Sequence, residues 1–509
     1  MFAMGALMEG ANGNHLPPSG PGGGSELSHG GVHFLGTLAQ SVGLIGPTAS
    51  AGILLGIMFA VVGPMGWLTW IIGAVALCCV ASGIVFLSRR FLTTGGLYPL
   101  AGKAAGSLGG YSTAFGAMLW ILVAAPAVAL VGGLFISNFL ALSAIGVAPS
   151  TGEIIALAAA ATIFCAAVSY RGIQVSVEFL LGAELLTMAA VIALMIITLF
   201  SHSGSLVDHS LFSFGGTSAS TILKGIVLMV FSMGGFESAT VLGQEAADGQ
   251  RSIPKAVLAS VAVAALFLAF CQYVTTLGFI GTGKELADSS NALGDLCEIN
   301  GIHWFAYLID FGLVIASLSN LVAILNGGSR MLYTIPRETQ WFKSLTKVSP
   351  HKTPAVGVAV MLTINIVVVA IVGITNSAPV LTLENLNTLS GYGAVLMYAF
   401  TCLAAIHFMF SRRKYVGALI CGLGFALLAY AMYTNFHPFP EAPVSTYAYI
   451  FFGLSAAAIV GYFFVRARQP MAFTGMSSDL DTIRPAPQAA VEVPDLQSKQ
   501  YVRPEEGSR

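Results

Sequence analysis

Polar positions in this chain gather into short clusters that separate long apolar runs, and a run of about 20 apolar residues is what a helix needs to cross a bilayer. Twelve such runs stand out, at about 34–62, 66–88, 111–140, 152–169, 174–200, 221–246, 256–280, 304–335, 354–374, 381–411, 415–434 and 446–465. The pattern predicts an all-α integral membrane protein with twelve transmembrane helices. The basic residues are distributed unequally. Loops after even-numbered spans hold Arg89, Arg90, Lys103, Arg171, Arg251, Lys255, Arg337, Lys343, Lys347, Lys352, Arg412, Arg413 and Lys414, and Arg466 and Arg468 follow the last span. The other side offers Lys224 and Lys284. The positive-inside rule then puts both termini in the cytoplasm of a multi-pass protein of the cell (plasma) membrane.

Two of the runs are interrupted. In span 6, Phe231-Ser232-Met233-Gly234-Gly235-Phe236-Glu237 places two glycines and a carboxylate at membrane depth. An ionisable group there normally faces protein or a watery cavity, and irregular backbone survives there only around such a cavity. In span 1, Gly46-Pro47-Thr48-Ala49-Ser50-Ala51-Gly52 contains a proline that cannot continue a regular helix but can start a new one. Each interruption alone also fits a packing glycine or a simple proline kink. Together they occupy corresponding places if spans 1–5 (about 33–200) and 6–10 (about 221–411) are two copies in opposite orientation, with two extra C-terminal helices at about 415–465. Paired breaks of this kind point to a transporter site near the bilayer midplane.

Composition narrows the class without adding chemistry. Charged residues are 9% and hydrophobic residues 56% of 509, with a mean hydropathy of +0.82, far from the roughly 25% charged residues of soluble domains. No basic patch suggests nucleic acid, and the seven cysteines show neither disulfide nor metal spacing, so no cofactor or metal is expected. No positively charged flank marks a signal peptide, so the first apolar helix is expected to stay in the chain. Residues 1–32, with Pro17-Pro18-Ser19-Gly20-Pro21-Gly22-Gly23-Gly24, and 467–509 read as disordered tails around a transporter domain at 33–466. The 281–303 loop reads as an external lid or a plain connector.

Three sets of residues resemble the amino acid–polyamine–organocation (APC) superfamily of permeases. Phe231 to Ala239, then Glu245 and Arg251-Ser252-Ile253-Pro254-Lys255-Ala256, are similar to the family's sixth helix and its exit. Thr94-Gly95-Gly96-Leu97-Tyr98 with Gly102 and Gly106 resembles the lead-in to helix 3. Ser329-Arg330-Met331-Leu332-Tyr333, then Lys352-Thr353-Pro354, resembles the end of helix 8 and the loop to helix 9. Ile335-Pro336-Arg337-Glu338 departs from the family's Ala-Arg-Asp-Gly. The resemblance, over about 34–465, implies a secondary active transporter that imports an amino acid or related amine by alternating access, and a gating role for Phe231.

Half-helix ends carry unpaired backbone groups and partial charges that suit a zwitterion. The substrate-binding residues expected are Gly46, Thr48, Ala49, Ser50, Ala51 and Gly52 in span 1 and Phe231, Ser232, Gly234 and Gly235 in span 6. A carboxylate would sit on the N–H groups of Ser50, Ala51 and Gly52, and an ammonium on the carbonyls of Leu44, Ile45, Phe231 and Ser232. Glu237 falls in the first turn after the glycine pair, where it either serves the dipole of the restarting helix or acts on a proton or substrate. Glu184 in span 5, with Glu178 nearer the cytoplasm, is a proton carrier, a partner for Arg171 or a polar group facing the bundle. The small-molecule substrate, the lipid bilayer and a coupling ion, a proton in preference to sodium, are the partners expected. Alternatives are sodium-coupled uptake, with Ser317, Ser319 and Asn320 lining a site, and an amino-acid-binding membrane sensor.

Overall fold

The apolar runs form helix except where span 6 is broken, because a helix satisfies its N–H and C=O groups within its own segment, as a backbone in lipid requires. The computed structural model describes residues 31–93, 95–143, 150–171, 174–201, 207–212, 218–243, 245–289, 291–339, 342–375, 378–442, 444–469 and 472–477. The expected disorder of 1–30 and 478–509, and the side chain of Glu178, lie outside the described residues. Fourteen α-helices are described: α1 (Phe34–Ile45), α2 (Pro47–Val62), α3 (Gly66–Ser88), α4 (Leu97–Ser143), α5 (Thr151–Arg171), α6 (Gln174–Ser201), α7 (Ala219–Met233), α8 (Gly249–Phe279), α9 (Ala292–Ile299), α10 (His303–Thr339), α11 (Ala355–Ile374), α12 (Pro379–Ser411), α13 (Tyr415–Phe436) and α14 (Val444–Arg468). They supply twelve candidate membrane spans, with α1 and α2 as the two halves of span 1.

Burial separates the spans that build the centre from those that face lipid. In span 6, 94% of the most apolar window is buried, against 17% in the last span. The exposed faces of α13 and α14 carry Tyr415, Val416, Leu419, Val460 and Phe463, the side chains lipid solvates best. At the centre, α4 and α12 meet backbone to backbone. A Cβ at Gly116 would lie 2.6 Å from the Met397 nitrogen, and one at Gly393 would lie 2.6 Å from the Trp120 nitrogen. Small residues let helices approach this closely where no hydrophobic effect drives them together.

Span 6 does not resume as an α-helix after its glycines. A turn at 234–237 leads into a short 3-10 helix, Ser238–Leu242, and the chain reaches α8 through Glu245 and Ala246. The 281–303 loop is a folded cover. Its 3-10 turn Leu286–Asp288 and α9 bury Leu286, Leu293, Leu296 and Cys297. Leu286 and Ser289 set their carbonyl oxygens where a Cβ on Gly56 of α2 would be 2.9 Å away. Tail composition predicts disorder from 467, yet Ala472, Phe473 and Met476 are buried, around a 3-10 turn at Thr474–Ser477. The reason is local: this stretch keeps two large apolar side chains and a glycine that fits against helix backbone.

Candidate functional site

Span 1 breaks at one residue. Gly46 stands in the left-handed region (φ 56°, ψ 60°), where its N–H closes α1 on the Val42 carbonyl and Pro47 opens α2. Only glycine adopts that conformation routinely. The first-turn donors of α2 are therefore few: proline has none, and the Ser50 N–H already bonds the Gly46 carbonyl at 2.9 Å. This corrects the expected carboxylate seat. The N–H groups of Ser50, Ala51 and Gly52 lie inside the helix, and a Cβ at Gly52 would meet the Phe135 ring at 2.6 Å. Ala49 and Ala51 are buried beside them, and the Ser50 hydroxyl turns back to the Ile45 carbonyl at 3.4 Å.

An internal carboxylate occupies the helix start. Glu184 of α6, 1% exposed, accepts the Thr48 N–H (3.0 Å) and the Thr48 hydroxyl (2.8 Å), both on Oε1. The positive end of α2 and two donors make this a charge-assisted contact. The other oxygen, Oε2, is buried with no hydrogen-bond partner. Glu184 is thus held by Thr48; the spacing of 136 residues left no signal in the sequence.

Span 6 is broken between two large side chains. A Cβ on Gly234 would meet the Trp120 indole at 2.9 Å, and one on Gly235 (φ 106°) would meet Leu44 at 2.5 Å. Glu237, 4% exposed, accepts the Tyr398 hydroxyl at 2.7 Å and the Gly235 N–H at 3.2 Å. Its carboxylate makes no capping bond to the helix that follows. The carbonyls expected to meet an ammonium already have donors in three cases: Leu44 from the Asn320 amide (3.2 Å), Ile45 from Ser50, and Phe231 from the Gly234 N–H (3.2 Å). Phe231 itself is half-buried in the last turn of α7, and the Ser232 hydroxyl is buried without a partner. Ser319 Oγ and Asn320 Oδ1 on α10 are also buried and unpartnered.

Between the two breaks lies a cavity of about 20 Å³, lined among others by Leu44, Trp120, Glu237, Thr240, Met331 and Met397. That is room for about one water molecule, too little for an amino acid. Towards the face on which the chain enters its first span and leaves its last, here the terminal face, several links among the described residues tie the segments together. Gln40 donates to Ser238 Oγ (2.9 Å), and the Ala239 N–H donates to Ser41 Oγ (3.0 Å). Val32 forms a two-bond bridge with Glu245 and Ala247. Arg330 of α10 grips Glu245 through Nε (3.2 Å) and Nη2 (3.1 and 3.3 Å), with both side chains 2% exposed. Among the described residues no group of three or more His, Cys, Asp or Glu is placed to hold a metal ion.

Comparison with known proteins decides the family. A family model described as amino acid permease matches residues 33–467, nearly the whole described chain. The chain belongs to the amino acid permease family. With its twelve apolar helices, this permease is a multi-pass membrane protein of the APC superfamily. It is similar to a protein of Mycobacterium tuberculosis described as an uncharacterized transporter, 23% identical over 304 residues, which are 60% of this chain and 62% of the relative. The branched-chain amino acid permease of Bacillus subtilis is 26% identical over 35% of this chain and 37% of its own. The human cationic amino acid transporter 4 is 25% identical over 38% of this chain and 29% of its own. The permease thus spans less than two thirds of the length of these relatives.

Proposed function

We propose that this protein is a secondary active transporter that imports an amino acid or related amine across the cell membrane by alternating access, coupled to protons, on a five-plus-five inverted repeat. The observation that carries this reading is the buried carboxylate of Glu184 on the first turn of α2, where span 1 is broken. A permanent anchor needs no acid at a helix break. A carrier that must exchange charge between two faces does. Glu237 with Tyr398 supplies a second buried acid at the other break. Family membership and relatives named for amino acids favour the substrate class. The basic residues of the terminal face, Arg89, Arg90, Arg251, Arg412 and Arg413 among them, favour a cytoplasmic position for both termini.

The test is uptake of a panel of radiolabelled amino acids and amines into proteoliposomes under an imposed pH gradient. Accumulation that a protonophore abolishes is expected. Binding and no accumulation or counterflow would make the protein a sensor. Sodium coupling is the second reading, favoured by the buried, unpartnered oxygens of Ser319 and Asn320 beside the α1 break. Stimulation by sodium alone, with no response to the pH gradient, would select it.

A further inference from the structure

The tail turn after α14 is wedged into helix backbone. A Cβ on Gly102 of α4 would collide with the Met476 carbonyl oxygen, and one on Gly475 would collide with the Glu338 carbonyl oxygen at the end of α10. Phe473 stacks on Tyr462 of α14 (5.1 Å, 22°) and meets Tyr111 of α4 edge-on (5.2 Å). Six residues of tail therefore join three helices on the terminal face.

The part of α4 that they hold is a separate piece. Residues 97–105 form helix between Gly95 (φ 129°) and Gly96 (φ 80°) on one side and Gly106 (φ 79°, ψ −176°) on the other. Backbone at these angles is open to glycine and strained for other residues, so the piece is a short helix with a pivot at each end. Its inner end, Gly96 and Leu97, walls the small cavity beside Glu237, Ser238 and Thr240, and its middle, Gly102, is where the tail presses.

We propose that residues 97–105 are a hinged flap over the terminal-face end of the transport cavity and that residues 472–477 are its latch, so that the docked tail slows opening of the pathway. The latch rests on the transport reading only for its consequence, since its closure is a matter of contacts already described. Its grip includes the ring contacts of Phe473, the buried Met476 and the close fit of two glycines, all made through six residues of tail, so the contact is short enough to release and re-form as a unit. Opening that widens the cavity requires Leu97 to move away from Glu237, and the latch opposes that motion through Gly102.

Three variants of the full chain release the tail from different sides: Gly102→Ala on the flap, Gly475→Ala on the turn and Phe473→Ala in the aromatic stack. The first readout is the rate at which a membrane-impermeant maleimide, applied from the terminal face, labels Leu97→Cys in a background lacking the seven native cysteines. The second is the initial rate of amino acid uptake. Protease cleavage of the tail reports undocking. Labelling faster by at least about threefold in all three variants is expected, the response to a modest shift toward an open population, together with faster uptake. Unchanged labelling with a protease-sensitive tail would overturn the latch, and a tail that stays protected in all three variants would overturn the docking. Failure of the transport reading is distinguishable, because it abolishes uptake in the parent protein and leaves the labelling comparison intact. Should Gly102→Ala fail to fold, the two tail-side variants decide.

Discussion

Removing one partner of the Arg330–Glu245 pair should cost more than removing both. Each side chain is 2% exposed, and three N–O contacts between 3.1 and 3.3 Å join them. Glu245→Gln leaves a guanidinium buried with no counter-charge, and Arg330→Met leaves a carboxylate in the same position. Either change should destabilise the closed fold by about 3–5 kcal/mol, since the lone charge keeps its desolvation cost and loses its attraction. At about 1.4 kcal/mol per tenfold, that is roughly a hundredfold to several-thousandfold in the unfolding equilibrium. The double variant carries no unpaired charge; it keeps a buried amide, whose cost of about 1–3 kcal/mol is below that of a lone buried charge. The double variant is therefore expected to be more stable than either single one, with a coupling energy of several kcal/mol. Because Glu245 also holds Val32 through its backbone, the single variants should expose the start of α1 to a protease at the terminal face before global unfolding. Equilibrium unfolding in bicelles measures the four corners of the cycle. Additive losses, with the double variant as damaged as the sum of the singles, would refute the reasoning and make the pair a surface-like contact.

Further expectations follow from single contacts. Gly235→Leu should abolish uptake in well-expressed protein, because a side chain at φ 106° would be driven into Leu44 at 2.5 Å; normal uptake would remove span 6 from the site. Glu237→Gln should impair pH-driven accumulation more than substrate binding, and Tyr398→Phe, which deletes a charge-assisted hydrogen bond worth about 1.5–3 kcal/mol, should fall between it and the parent. Full pH-driven accumulation by the Gln variant would sink the proton role and leave Glu184 as the acid to test. Cys297, buried in the cover loop, has its thiol pushed up to about 12 by burial, so thiolate is present in about one molecule in ten thousand at pH 8. Maleimide should leave it unlabelled at that pH, with labelling rising only as pH approaches that value; rapid labelling at pH 8 would mean that the loop opens. Lys284 is raised above the ordinary lysine value by its hydrogen bond to Glu298, so what that contact adds is fully present below an unfolded lysine's pKa and lost only as pH rises through the higher folded value. Lys284→Gln should accordingly leave the shape of the uptake profile between pH 5 and 8 unchanged, and an altered profile in that window would contradict it.

Local sequence determined what local physics controls. Apolar length set the number of spans, because hydrocarbon thickness admits few other solutions. Gly46-Pro47 and Gly234-Gly235 set where two helices break, because proline lacks a donor and glycine lacks a Cβ. The donors left free after the first break were legible in principle: a helix opening at Pro47 has its free N–H groups at Thr48 and Ala49, and placing the seat at Ser50 to Gly52 moved it beyond the unpaired first turn.

What lies across the bundle was decided by tertiary structure alone. Glu184 meets Thr48 over 136 residues, Tyr398 meets Glu237 over 161, and Arg330 meets Glu245 over 85. Each pair joins segments far apart in the chain, and helix periodicity says which face a residue occupies without saying what stands opposite. The tail followed the same division. Its polar composition forecast disorder, while Gly102 on α4 and Gly475 in the tail itself let two backbones meet at distances that a Cβ would forbid.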